Sequence, residues 1–177
     1  MKLLSSNSEV ITSQKQKVKK LFAGQYYITC RNNIVLSTLL GSCVSVCLFD
    51  EINKVYGMNH YMLPIRKKNK KDNPGKYGKE AIALVIDNML KKGAKRSLIK
   101  AKIFGGGQVA KTIYNNIAEA NVKFAFGYLN KNTIPVVASD IGGRQGRQIY
   151  FYTGENKVLS RKIKSFPVNK YRQGVIQ

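Results

Sequence analysis

Leu40-Gly41-Ser42-Cys43-Val44-Ser45-Val46-Cys47-Leu48-Phe49-Asp50, followed by Gly57-Met58-Asn59-His60-Tyr61-Met62-Leu63-Pro64, is the stretch on which the fold turns. Val44 to Phe49 is a short apolar run behind a Gly-Ser turn, which reads as a buried strand, and Val55 to Tyr61 reads as its neighbour. A hairpin turning between Glu51 and Ile52 sets Cys43 opposite His60 and Cys47 opposite Tyr56. Directly opposed residues of an antiparallel pair share a face, with Cβ atoms about 4.5–5.5 Å apart. A thiol and an imidazole so placed can reach hydrogen-bond contact, whereas a one-residue slip would turn them to opposite faces.

His60 is the only histidine among 177 residues, and the three cysteines are Cys30, Cys43 and Cys47. Nucleophilic chemistry would therefore take His60 as its base, and the hairpin selects Cys43 over Cys47. A free thiol is mostly protonated at neutral pH. An adjacent imidazole takes its proton and can later give it to a leaving group. Gly41 permits a tight turn before Cys43, so that backbone N–H groups around Ser42 and Cys43 can point at a developing oxyanion. The imidazole needs an orienting group; no acid lies in the motif, and the nearest hydroxyls are Ser37 and Thr38. Cys30 and Cys47 read as structural cysteines.

Working outward, residues 1–20 are polar and basic and read as a flexible N-terminal arm, with a single domain over residues 21–177. Tyr26 to Cys30 and Ile34 to Thr38 read as strands on either side of the turn-rich Arg31-Asn32-Asn33. Ile65 to Lys76 is a charged loop with a turn signal at Asp72-Asn73-Pro74-Gly75. Tyr77 to Lys92 carries Ala81, Leu84, Val85 and Met89 at helical spacing and stops at Gly93. Leu98 to Phe104 is a strand running into Gly105-Gly106-Gly107. This run lacks the spacing of a phosphate-binding loop and reads as backbone that passes close to the active site or bends sharply. Thr112 to Leu129 reads as a second helix with Ile113, Ile117, Ala120 and Phe124 on one side. Ile134 to Ala138, Arg147 to Tyr152 and Val158 to Ile163 are the closing strands, and Asp140-Ile141-Gly142-Gly143-Arg144 is a turn whose Asp and Arg can line a cleft. Two helices among seven or so short strands imply an α/β layered fold with a mixed, largely antiparallel sheet.

The net charge is +22. It is spread along the chain, with denser clusters only at Lys15 to Lys20 and Arg66 to Lys71. Neither cluster is interleaved with aromatics, as a platform for stacking bases would be. The charge reads as a solvated surface that speeds encounter with acidic proteins rather than as a nucleic-acid site. One histidine and no Cys-x-x-Cys pair argue against a zinc site, and an odd cysteine count argues against a disulfide framework. No apolar run nears the roughly 18 residues of a membrane span. Met1-Lys2-Leu3-Leu4 leads into polar residues rather than an apolar signal core, so the expected location is the cytoplasm.

At these residues the sequence resembles the CheD family, chemoreceptor glutamine deamidases of bacterial chemotaxis. The likeness rests on Leu40-Gly41-Ser42-Cys43-Val44 and Gly57-Met58-Asn59-His60-Tyr61-Met62-Leu63-Pro64. It continues through Gly75-Lys76-Tyr77, Ala101-Lys102-Ile103-Phe104-Gly105-Gly106, Asn121-Val122 and Asp140-Ile141-Gly142-Gly143, so that it spans Gln25 to Lys164. The resemblance implies a three-layer α/β/α fold similar to the catalytic domain of deamidating toxins. It also implies a Cys–His–Thr triad that hydrolyses glutamine side chains of methyl-accepting chemotaxis receptors without a cofactor. By motif, Cys43 is the nucleophile and His60 the general acid–base. The family's threonine position falls on Ser37, with Thr38 beside it, so either hydroxyl can complete the triad. Ile117-Ala118-Glu119-Ala120-Asn121 departs from the family's Ile-Gly-x-Arg-Asn by lacking the Gly and the Arg. The acyl chemistry also extends to glutamyl methyl esters. Two rival functions stand beside it. One is a non-catalytic chemotaxis module binding receptors or a CheC-type phosphatase, also a partner the resemblance implies; the other is a basic nucleic-acid-binding domain.

Overall fold

The computed structural model describes residues 16–67, 71–109 and 117–163. The basic arm up to residue 15, residues 68–70 of the second lysine cluster and residues 112–116 of the second expected helix lie outside them. Nine strands follow in chain order: β1 (Lys17–Lys20), β2 (Tyr26–Thr29), β3 (Ile34–Leu40), β4 (Val44–Asp50), β5 (Val55–Asn59), β6 (Ile99–Gly105), β7 (Val136–Ile141), β8 (Gly146–Tyr152) and β9 (Lys157–Ile163). Helix α1 (Gly78–Lys91) lies between β5 and β6, and α2 (Ile117–Lys131) between β6 and β7. The last four residues of the expected arm are thus strand β1, an exposed edge paired parallel with β3.

The strands form two sheets. One has the order β2-β5-β4-β6-β7 and the other β1-β3-β8-β9. Pairing is mostly antiparallel; the β6–β7 pair is parallel because α2 carries the chain back across the sheet between them. The mixed, largely antiparallel α/β character therefore matches the sequence reading. The layering differs from the α/β/α that the resemblance implies. Both helices pack on one face of the five-stranded sheet, and the four-stranded sheet covers its other face. The cause is visible in β4, where residues alternate. Val44, Val46 and Leu48 join Ala81, Ile82, Val85 and Met89 of α1 in one core, while Cys47 and Phe49 join Leu36, Ile149 and Phe151 of the second sheet. A strand apolar on both faces needs a cover on each side. Here the second cover is a sheet, so the order of layers is helices, sheet, sheet.

Helix α1 buries Ala81, Ile82, Val85, Ile86 and Met89, a stripe of helical period, and ends at Gly93 with φ of 95°. In α2 the buried stripe is Ala118, Asn121, Ala125 and Leu129, one residue out of phase with the expected Ile117, Ala120 and Phe124. Apolar residues run almost all the way round this helix, so periodicity alone leaves its phase open.

Candidate active site

The β4–β5 hairpin closes on Asp50 opposite Val55, giving a loop of Glu51 to Lys54 rather than a two-residue turn. Two-residue hairpin turns need positive φ at their centre, which a β-branched Ile52 resists. The longer loop puts positive φ on Lys54, at 56°, and uses the Asp50 carboxylate to accept from Ile52 N and Asn53 N at 3.1 and 2.9 Å. The register therefore moves by two residues: Cys47 faces Met58, not Tyr56, and Val44 bridges Tyr61. Cys43 and His60 are then diagonal rather than directly opposed. A two-residue move preserves the face, so both still point to the inter-sheet side, where Cys43 packs against the Cys47, Phe49, Tyr56 and Met58 cluster. Diagonal neighbours are about 7–8 Å apart at the backbone, within reach of long side chains.

The second sheet supplies the imidazole's partner. Along β3, Ile34, Leu36 and Leu40 enter the inter-sheet core, so Thr38 points the same way and Ser37 does not. Thr38 Oγ1 lies 2.7 Å from His60 Nδ1, while Ser37 Oγ accepts from Gln148 Nε2 at 2.7 Å. Thr38 also donates to the Leu21 carbonyl at 2.8 Å. A hydroxyl has one proton, and a carbonyl can only accept. Thr38 spends its proton on Leu21, so it must accept from His60, which places the imidazole proton on Nδ1 and leaves Nε2 as a bare acceptor. Nε2 is buried and has no partner among the described residues. Burial pushes the His60 pKa down to about 4 and the Cys43 pKa up to about 11, with the Cys43 backbone N–H pulling the latter partly back. Both groups therefore rest neutral at pH 7: a thiol and a basic nitrogen. Cys47 is fully buried and pushed up to about 12, whereas Cys43 is partly exposed.

The Gly41-Ser42-Cys43 turn is held by its carbonyls. Gly41 O accepts from Gly107 N at 2.8 Å, Cys43 O from Gly106 N at 2.9 Å, and Ser42 O from Asn121 Nδ2 at 3.1 Å. Among the described residues no backbone carbonyl accepts from the N–H groups of Ser42 and Cys43, so both can turn to an oxyanion. The glycine run thus passes close to the site, as expected. A Cβ on Gly105, whose φ is 114°, would sit 2.2 Å from Cys43 O. Buried Arg147 fixes this backbone from behind, donating to the carbonyls of Gly105, Asp140 and Gly142. The Ile141 to Arg144 turn lines a cleft of about 370 Å³ together with Gly106, Glu119 and Val122.

The family model for CheD chemotactic sensory transduction matches residues 62–162, more than half of the chain. A probable chemoreceptor glutamine deamidase CheD 1 of Shewanella oneidensis is 41% identical over 150 residues, covering 82% of this chain and 72% of that protein. The chain belongs to the CheD family. The probable chemoreceptor glutamine deamidases CheD of Laribacter hongkongensis and Methylobacillus flagellatus are 43% and 39% identical, each over 85% of this chain and 74% and 76% of their own. A solved structure, the Bacillus licheniformis hypothetical protein YfiH, superposes with a TM-score of 0.42 at 14% identity, over 71% of this chain and 60% of that one. The CheD family match begins after His60, so it does not include Cys43 or His60.

Two residues that the sequence left without a role shape this CheD site. Asn121 is fully buried and donates to both Ser42 O and Met62 O, tying together the segments that carry Cys43 and His60, and its own carbonyl accepts from Tyr61 OH at 2.6 Å. A polar residue inside the buried stripe of α2 was its signal, hidden by the ambiguous helix phase. Arg147 gave no such signal, because a charged residue opening a strand ordinarily faces solvent.

Proposed function

We propose that the chain is a protein-glutamine deamidase that converts glutamines of chemoreceptors to glutamates in chemotaxis, with Cys43, His60 and Thr38 as its catalytic set. Membership of a family whose relatives are named chemoreceptor glutamine deamidases supports the reaction class. The observation that carries the residue roles is the Leu21–Thr38–His60 relay, which leaves Nε2 free to receive a proton.

In this reading His60 Nε2 takes the Cys43 proton as sulfur attacks the glutamine carboxamide carbon, and the N–H groups of Ser42 and Cys43 hold the oxyanion. Collapse of the tetrahedral intermediate breaks the C–N bond, and the imidazolium returns its proton to the departing ammonia. Water, losing a proton to His60, then attacks the thioester. The glutamate carboxyl leaves and the thiolate regains the proton. No cofactor enters these steps. A glutamyl methyl ester would follow the same path with methanol departing. The location proposed for the reaction is the cytoplasm, as the sequence reading has it. Among the described residues no helix is long and apolar enough to cross a membrane. A CheC-type phosphatase is a proposed regulatory partner, by family membership alone.

The test is incubation with a soluble chemoreceptor fragment and mass spectrometry for amide-to-acid conversion. Conversion that falls at least about 10³-fold in Cys43→Ala is expected. Conversion unaffected by Cys43→Ala would overturn the reading.

A further inference from the structure

The end of the molecule away from Cys43 carries a cavity of about 510 Å³. It opens where β2 ends and β5 begins, so the seven residues of β4, roughly 20 Å of strand, separate it from the Cys43 turn. Its size lies within the roughly 300–1,000 Å³ of small-molecule sites. Its walls are held by buried contacts. Thr153 donates to Arg31 O at 2.7 Å and accepts from Ile34 N at 3.3 Å, which pins both ends of the Arg31 to Asn33 turn. A Cβ on Gly154 would lie 2.5 Å from Asn32 O, so glycine lets the turn after β8 close against that wall.

The polar groups on these walls suit an anion. Arg31 stands at the end of β2 and Lys54 on the hairpin loop, and among the described residues neither is paired with a carboxylate. Glu51 of the same loop is taken by Lys100 at 3.9 Å. Tyr56 forms the floor; it is 0% exposed, and its ring is edge-on to Phe151 in the inter-sheet core. Its hydroxyl is buried and has no partner among the described residues. Such a group is costly unless something bonds it. Burial raises the phenol above its ordinary 10, so it meets a ligand as a donor. Donors thus come from a strand end, from a loop and from the floor. A tetrahedral phosphate offers oxygens in all three directions, whereas a carboxylate offers two in one plane. Phosphate alone fills only part of the volume. Asn32 and Asn33 line the rest with carboxamides, each both donor and acceptor, which match hydroxyl groups. The Tyr56 ring is committed to the core and leaves no face for a base to stack on.

We propose that this cavity is a second ligand site that takes a small sugar phosphate. Arg31 and Lys54 hold the phosphate, Tyr56 donates to one of its oxygens, and Asn32 and Asn33 bond the sugar hydroxyls. The site shares no residue with the Cys43 turn and stands independently of the deamidase reading.

The test is calorimetric titration of the full chain with ribose-5-phosphate at about 0.15 M salt, where diffuse charge is screened. Arg31→Gln and Lys54→Gln should each weaken binding about tenfold or more, and Tyr56→Phe about threefold or more. Lys79→Gln, which removes an equal charge from α1, and Cys43→Ala should leave binding unchanged. Cys30 is exposed on the rim, so its labelling by N-ethylmaleimide, read by peptide mass spectrometry, should slow when the sugar phosphate is saturating. No binding up to about 10 mM, equal losses in Arg31→Gln and Lys79→Gln, loss of binding in Cys43→Ala, or an unprotected Cys30 would each overturn the site. Succinate displacing the ligand as well as inorganic phosphate does would overturn the assignment to phosphate.

Discussion

Thr38 and Ser37 are adjacent hydroxyls with different neighbours. Thr38 accepts the Nδ1 proton of His60 while donating to Leu21, and Ser37 faces away to receive Gln148. Removing the Thr38 hydroxyl leaves Nδ1–H buried without an acceptor and frees the ring to turn. Thr38→Val should therefore lower kcat about 10- to 100-fold with little change in KM, Thr38→Ser should restore most of the rate, and Ser37→Ala should stay within about twofold. Steady-state kinetics on the receptor fragment decides it: a Ser37→Ala loss equal to that of Thr38→Val would contradict the relay. The sequence narrowed the hydroxyl to this pair and no further. Alternation along a strand separates neighbours, but which face meets His60 depends on how a second sheet stacks.

At the scale of elements, the β4–β5 hairpin is the instructive case. Its strands and its cysteine–histidine face were legible in the sequence, because apolar runs and face parity survive a two-residue shift. Its register was not, because the turn is built on one carboxylate. Buried Asp50 accepts from Ile52 N, Asn53 N, Asn53 Nδ2 and Lys95 N. Burial alone would raise its pKa, but these donors outweigh burial and hold it below its ordinary 3.8. A depressed carboxyl stabilises the fold fully above the unfolded value, and that contribution is lost as pH falls through the lower folded value. Unfolding titrations should thus show stability declining below about pH 4, and Asp50→Ala should cost at least about 2 kcal/mol at pH 7 by stranding buried donors. A variant as stable as the parent would contradict this account of the turn. The phase of α2 was equally hidden, and with it Asn121, since an all-round apolar helix declares its buried side only through what it packs against.

Across the whole molecule, the site exists because two sheets stack. Cys43 and His60 stand on the five-stranded sheet and Thr38 on the four-stranded one, with the Leu21 carbonyl fixed by its own amide bonding to Ser37 O at 2.8 Å. Family likeness pointed to the residues and to three layers; only the packing of β4 on both faces says that the third layer is a sheet. The protonation state of His60 is consequently a property of the assembled sandwich. In an unfolded chain nothing holds the proton on Nδ1, and the ring titrates near 6.5.

Because His60 is the only histidine, two-bond ¹H–¹⁵N correlation NMR of the imidazole nitrogens gives one set of signals and reads this state without assignment. The predicted result is a neutral ring with its proton on Nδ1 and a bare Nε2 at neutral pH, staying neutral through the ordinary imidazole range and becoming charged only as pH falls toward about 4. A proton on Nε2, or a ring that titrates at its ordinary 6.5, would contradict the poised-base geometry on which the proposed chemistry rests.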